Sequence, residues 1–209
     1  MRRAPLVLLL AAVCLPTRAQ YGAGAPATGK ILVASEKLQD PNFTQSVILL
    51  VASDPDGGTL GVVVNRRSDV PLSKIFPTIK GASNDPVYMG GPVEIGTGQG
   101  LLRSEARAGS RRIMNDVYAT GSKDVIENSV AAKLDSGKFR LYLGYAGWAP
   151  GQLQSEIQAG AWTVRDGNAN IVFDQDPDSL WVRLNRLAHS QIAAARETTS
   201  ATSPRMPVR

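Results

Sequence analysis

The stretch from Leu141 to Trp162, LYLGYAGWAPGQLQSEIQAGAW, constrains this chain more than any other. Leu141 to Tyr145 alternates and is rich in aromatic residues, which predicts a strand. Gly144, Gly147 and Gly151 reach backbone conformations that other residues adopt only at a cost, so the chain is expected to turn there. Pro150 suits a first helical position, Leu153 and Ile157 lie four apart on one helical face, and Gly160 is placed to end the helix in a left-handed cap. The segment reads as strand, turn, helix, strand. Glycines before a helix can open an anion site, but neither G-x-x-x-x-G-K-[ST] nor G-x-G-x-x-G is present, so tight strand–helix packing is the expected role. Trp148 and Trp162 are expected to bury apolar area beside the turn.

LGYAGWAPGQLQSEIQAGAW closely resembles the signature of the YqgE/AlgH family of bacterial proteins. ILVASEKLQDPNFTQSVILLV, LGVVVNR, VYMGGPV and DVYATGSKDVIE extend the resemblance over about Gly29 to Ala188. The family carries the label of transcriptional regulators of alginate production, and the resemblance implies no known reaction. It also implies a sheet curled into a barrel-like core. Two places depart from the family pattern. Arg67 stands where a proline usually follows the Asn-Arg pair, and GTGQGLLRS replaces a stretch where an aspartate-arginine pair and a terminal histidine are common.

Arg2 and Arg3, the apolar run Leu6 to Leu15 and then Thr17-Arg18-Ala19 read as a secretory signal peptide over residues 1–19. Ala4-Pro5 does not suit a twin-arginine signal, and bulky Val13 before Cys14 does not suit lipidation. The run is too short to span a bilayer, so no transmembrane span is expected in the mature chain. Residues 20–28 form a Gly/Ala/Pro linker, 29–189 one domain, and 190–209 a disordered Ser/Thr/Pro-rich tail. Cys14 is the only cysteine, so a mature chain has no disulfide, thiolate metal site or cysteine nucleophile, and a domain of this length can stand on its apolar core. The net charge of +5 suggests nucleic acid. Between Lys30 and His189, however, basic and acidic residues are equal in number, and the excess lies in the leader and the tail.

Along the chain, strands are expected at Lys30 to Ala34 and at Ser46 to Ala52, with turn chemistry at Asp40-Pro41-Asn42 between them. Asp54-Pro55-Asp56-Gly57-Gly58 predicts a hairpin into Thr59 to Val64, and Asn65-Arg66-Arg67 ends that strand. Pro71 to Phe76 reads as a short helix stopped by Pro77. Further strands are expected at Pro86 to Met89, Gly100 to Arg103, Val117 to Thr120 and Lys138 to Tyr145. Ser122 or Asp124 can cap a helix from Lys123 to Leu134. After Trp162 to Arg165, the turn Asp166-Gly167-Asn168 predicts a second hairpin into Asn170 to Phe173. A final helix from Asp176-Pro177 carries Leu180, Trp181, Leu184, Leu187 and Ala188 as a stripe facing the sheet. Hairpins with inserted helices predict the α+β class, with a mixed, largely antiparallel sheet.

No catalytic constellation is apparent. His189 is the only histidine and G-x-S-x-G is absent. Asp174, Asp176 and Asp178 open like a calcium loop, but Ser179 and Asn185 replace its glycine and glutamate, so these acids are expected to complement a helix dipole. No metal or cofactor is expected. Arg103, Arg107, Arg111 and Arg112 form the one local feature that nucleic acid could use; no DNA-binding motif accompanies them, so a solvated loop is expected. These observations favour a non-catalytic domain that binds a protein partner or a small ligand in the periplasm or outside the cell. The alternatives are a cytoplasmic transcriptional regulator, or a hydrolase using carboxylates such as Asp40 or Asp116. A ligand site is expected where glycine-rich turns meet: Gly90, Gly91 and Pro92 with Gly144, Gly147 and Trp148, joined by Asn65 and Arg66.

Export is open to direct measurement. Mass spectrometry of the purified protein is expected to find a mature N-terminus near Gln20; an intact Met1, or a peptide covering Leu6 to Arg18, would overturn it.

Overall fold

The computed structural model describes residues 24–106, 108–187 and 190. The expected leader, Arg107, Ala188, His189 and the tail beyond Ser190 lie outside the described residues, as do residues 20–23 of the linker.

Branched apolar residues build the first three strands, β1 (Lys30–Ala34), β2 (Val47–Asp54) and β3 (Gly58–Val63), which pair antiparallel in sequence order. The expected β2–β3 hairpin is present. At its turn the Asp54 carboxylate accepts the N–H groups of Asp56 and Gly57 at 2.8 and 2.9 Å, and these bonds hold the carboxyl below its ordinary value. After Asn65-Arg66 the chain enters β4 (Arg67–Pro71), an unexpected strand, and then the expected short helix α1 (Leu72–Ile75). β5 (Pro86–Met89) pairs with β4.

β6 (Val93–Arg103) begins well before the expected Gly100. β7 (Arg111–Met114) turns part of the supposed arginine loop into a strand, and β8 (Val117–Thr120) returns beside it. Asn115-Asp116 makes that turn tight, and Ile113 supplies the buried side chain that gives β7 a face. Helix α2 (Lys123–Ala131) stops short of Leu134, where Lys133 has a left-handed φ of 55°. Ser122 occupies its N-cap position without a side-chain cap bond.

β9 (Phe139–Trp148) runs through the expected turn and ends only at Trp148. Gly151 rather than Pro150 starts α3 (Gln152–Gln158), as a left-handed N-cap at φ 75°. Gly160 ends the helix with φ 79°, as expected. β10 (Trp162–Asp166) pairs antiparallel with β1. The second predicted hairpin is absent: Asn170 to Phe173 is not a strand, because Asn168 caps a helical turn, α4 (Ala169–Val172), accepting the Ile171 N–H at 3.0 Å. A last helix, α5, covers 177–187. Leu180 and Leu184 are buried as the stripe requires, whereas Leu187 is 52% exposed and faces away.

The strands form one ten-stranded sheet in the order β10-β1-β2-β3-β9-β6-β8-β7, with β5 joining β9 in parallel and β4 beyond it. This is the mixed, largely antiparallel α+β domain that was expected. The sheet curls into a half-barrel. Its inner face gathers residues from β1 and β2, from β7 at the far end of the order and from strands between, including Ile31, Leu49, Val62, Tyr88, Ile113 and Tyr142, and closes over Val172, Phe173, Leu180 and Leu184. The outer face carries two separate patches: Ile48, Leu50, Val63 and Trp148 under α3, and Val87, Leu102, Tyr118 and Leu141 under α2 and Leu72.

Arg140 of β9 ties the interior together and is 2% exposed. Its guanidinium donates to the carbonyls of Ser136, Val172 and Asp174 at 2.8, 3.1 and 2.6 Å and lies 4.8 Å from the centre of the Tyr88 ring. Burial pushes the neighbouring Tyr142 phenol well up, against the opposing pull of the Arg140 charge. Arg140→Lys retains the charge but lacks the planar fork that reaches three carbonyls. It is expected to lower the unfolding free energy by about 2 kcal/mol or more, read from the urea midpoint; an unchanged midpoint would show that the fork is dispensable.

Candidate functional site

Gly144 decides the geometry of the proposed glycine cluster. Leu141 and Leu143 face the outer patch under α2 and Tyr142 faces inward, yet Ala146 and Trp148 are again on the outer face, so the alternation changes phase between them. Gly144 lies there with φ 71°, and the β6–β9 register jumps from Val93↔Tyr145 to Gly98↔Leu143. The result is a bulge in which residues 94–97 of β6 loop outward.

Gly90, Gly91 and Gly144 do meet, and they meet backbone to backbone. A Cβ on Gly90 would lie 2.3 Å from the Gly144 carbonyl oxygen, one on Gly91 2.1 Å from the Tyr145 carbonyl carbon, and one on Gly144 2.5 Å from the Gly91 oxygen. Gly90 N–H donates to the Leu143 carbonyl, and its own carbonyl accepts from Val63. Pro92 and Gly147 lie at the surface. Asn65 accepts the Val47 N–H at 2.8 Å and donates to the Gln45 carbonyl, while Arg66 donates to the Asn42 carbonyl at 2.8 Å. These two side chains therefore hold the loop before β2.

Trp148 is buried on the outer face, as its core reading requires. It forms an aromatic cluster with Trp162 and Phe43, with ring centres 5.8 to 6.2 Å apart. Both indole N–H groups donate to one oxygen of Glu156, at 2.9 and 2.8 Å, and Gln152 donates to the other. That carboxylate answers the polar atoms of two tryptophans at once. The sequence reading did not single it out, although Glu156 stands on the same helix as Leu153 and Ile157.

The sequence reading also missed the surface that the bulge creates. Leu60 pairs with Gly147, and Val93 pairs with Tyr145. A Cβ on Gly147 would sit 3.4 Å from the Tyr145 ring and 3.8 Å from Leu60, so both side chains border the bare glycine backbone. Ile95, in the outward loop beside Gly144, is 59% exposed, and Leu60 and Val93 are 43% and 37% exposed. Leu60, Val93 and Tyr145 thus make an apolar rim beside Gly147, Ile95 follows in the outward loop, and the Tyr145 hydroxyl donates to Glu94 at 3.4 Å. A spacing of alternate apolar residues at Val93 and Ile95 is the signal that could have found it.

The other candidate residues have structural partners. Asp40 accepts the Asn42 N–H in its turn, and Asp116 pairs with Arg103 at 3.1 Å. Arg111 donates to the Val51 carbonyl, and Arg112 to the Asn115 carbonyl. Asp174 pairs with Arg183, Asp178 pairs with Arg67, and Asp176 accepts from Ser179, which holds its carboxyl below the ordinary value. Among the described residues no group of three or more His, Cys, Asp or Glu side chains could hold a metal ion. None of their helices is long and apolar enough to cross a membrane.

Against known proteins, the AlgH-like family (DUF179) matches residues 31–193. This chain belongs to the AlgH-like family. It is 34% identical over 178 residues to a UPF0301 protein of Thermobifida fusca, covering 79% of this chain and 89% of that one. A UPF0301 protein of Paracoccus denitrificans is 37% identical over 164 residues, with 74% and 85% covered. Among solved structures, a protein from Corynebacterium diphtheriae superposes with a TM-score of 0.65 at 27% identity, covering 77% of this chain and 86% of that one. The AlgH protein from Pseudomonas aeruginosa gives 0.61 at 26%, covering 86% and 95%. The AlgH-like fold and the family resemblance of the motifs thus agree.

Two glycines separate packing from exposure. Gly144→Ala is expected to cost at least about 3 kcal/mol, through left-handed strain and overlap with the Gly91 carbonyl. Gly147→Ala, in ordinary van der Waals contact only, should stay within about 0.5 kcal/mol of the parent. Chemical denaturation of both variants tests this, and equal effects would refute it.

Proposed function

We propose that this AlgH-like chain is a non-catalytic binding domain, and that its apolar rim beside Gly147 engages a protein partner outside the cytoplasm. The observation that carries the reading is the exposure of Leu60 and Val93, which pair with Gly147 and Tyr145, together with that of Ile95 in the neighbouring loop. Grouped exposed apolar side chains mark interaction surfaces, and a tyrosine such as Tyr145 is a typical anchor for a partner. The carboxylates suited to hydrolysis are instead engaged in a turn and an ion pair, which favours binding over turnover. The leader-like residues Arg2, Arg3 and Leu6 to Leu15 support export, with a mature chain beginning near Gln20, and the even charge of the domain gives nucleic acid little purchase.

A photo-crosslinking residue placed at Ile95 in the full chain, in cells, tests the reading. A discrete protein adduct is expected in the extracytoplasmic fraction, absent when the probe is moved to exposed Lys80. Adding Leu60→Glu should reduce the adduct at least about tenfold, equivalent to ~1.4 kcal/mol. Adducts indifferent to probe position, or recovery of the full-length chain with DNA in the cytoplasm, would overturn it.

A further inference from the structure

We propose that a second site, the cleft beside β7 and β8, takes a small oxyanion group, a carboxylate or a phosphate, on the guanidinium of Arg111. The cleft has a volume of about 360 Å³ and is lined by Gln99, Gly109, Ser110, Arg111, Ala119, Thr120 and Gly121. It is separate from the apolar rim and independent of it.

Arg111, exposed on β7, is the cation among the described residues that line this cleft, and one hydrogen bond anchors it. One terminal amino group donates to the Val51 carbonyl at 2.6 Å, across the gap where β7 approaches β2. A guanidinium has five N–H donors in a planar fork, so a single bond to a carbonyl anchors it while leaving donors for a two-oxygen ligand. None of the ion pairs among the described residues includes Arg111, whereas nearby Arg103 is neutralised by Asp116. A positive charge held in place without an acidic partner is a preorganised receptor for an anion.

The walls are equally ordered. Thr120 is 3% exposed, and its hydroxyl donates to the Gly109 carbonyl at 2.6 Å and accepts the Ser122 N–H at 3.1 Å, so it locks one wall to the other. Gly109 has φ 78°, which places the loop before β7 in a conformation favouring glycine. A Cβ on Gly121 would meet nothing within 4 Å, so the backbone there is open to a ligand. Gln99 adds an amide that can donate or accept at the edge.

Amide NMR titrations of the full chain with sodium phosphate and, separately, sodium acetate at constant ionic strength test the site. Saturable shifts are expected at Gly109, Thr120 and Gly121, and the tighter of the two salts identifies the ligand class. Arg111→Gln should weaken binding at least tenfold, while Arg112→Gln, which loses only a bond within its own hairpin, should leave it unchanged. Gly121→Leu puts an apolar side chain into the cleft from open backbone and keeps the Arg111 guanidinium, and should abolish binding even if Arg111→Gln loosens the sheet. Shifts that fail to saturate with both salts, or saturable binding that survives Gly121→Leu, would overturn the site; neither result bears on the apolar rim.

Discussion

A buried cation without a carboxylate organises this fold. Arg140 is satisfied by carbonyls from three places: the turn before β9, the end of α4 and the link into α5. Its charge is further stabilised by the faces of Tyr88 and Phe173. A buried charge costs several kcal/mol unless hydrogen bonds compensate it, and each of the three guanidinium nitrogens has a carbonyl, so these segments must arrive together. The short helices α4 and α5 thereby become part of the inner core, although α4 is only four residues long.

β9, which carries Arg140, is also where the halves of the sheet are joined. It pairs with β3, β5 and β6, and its phase change at Gly144 lets one strand serve two outer patches while sharing one inner face. Glycine is required there because the carbonyls of Gly91 and Val93 occupy the space a side chain would need. The same bulge carries residues 94–97 out of the register, while Gly147 lies past Val93, the first residue of β6, with only Leu60 paired to it. A structural glycine cluster therefore lies beside the proposed binding rim.

The outer face is secured differently. Phe43, Trp148 and Trp162 supply the apolar area, and Glu156 takes up both indole N–H groups, so two large side chains are buried without leaving polar atoms unmatched. Asn65 and Arg66 fasten the loop that brings Phe43 to this cluster. Their side chains thus act at a distance from the glycines with which sequence spacing grouped them.

Much of this was legible in the sequence. Apolar runs and turn residues located β1 to β3, β5, β8, α1 and α3, because those signals are local and strong. The family motifs pointed to a curled sheet. Asn170 to Phe173 misled, because a short apolar run after Asp-Gly-Asn fits a strand as well as a capped helical turn, and Arg140 selects the latter by taking the Val172 carbonyl. Short β4 and β7 have too little alternation to announce themselves. Most of the elements, the evenly charged domain and the burial of Trp148 and Trp162 could be read from residue order alone, since each follows from composition or from neighbours along the chain. Which glycines pack and which lie bare, and which arginines pair with an acid and which with carbonyls, emerged only on folding, because those outcomes depend on atoms brought together from distant strands.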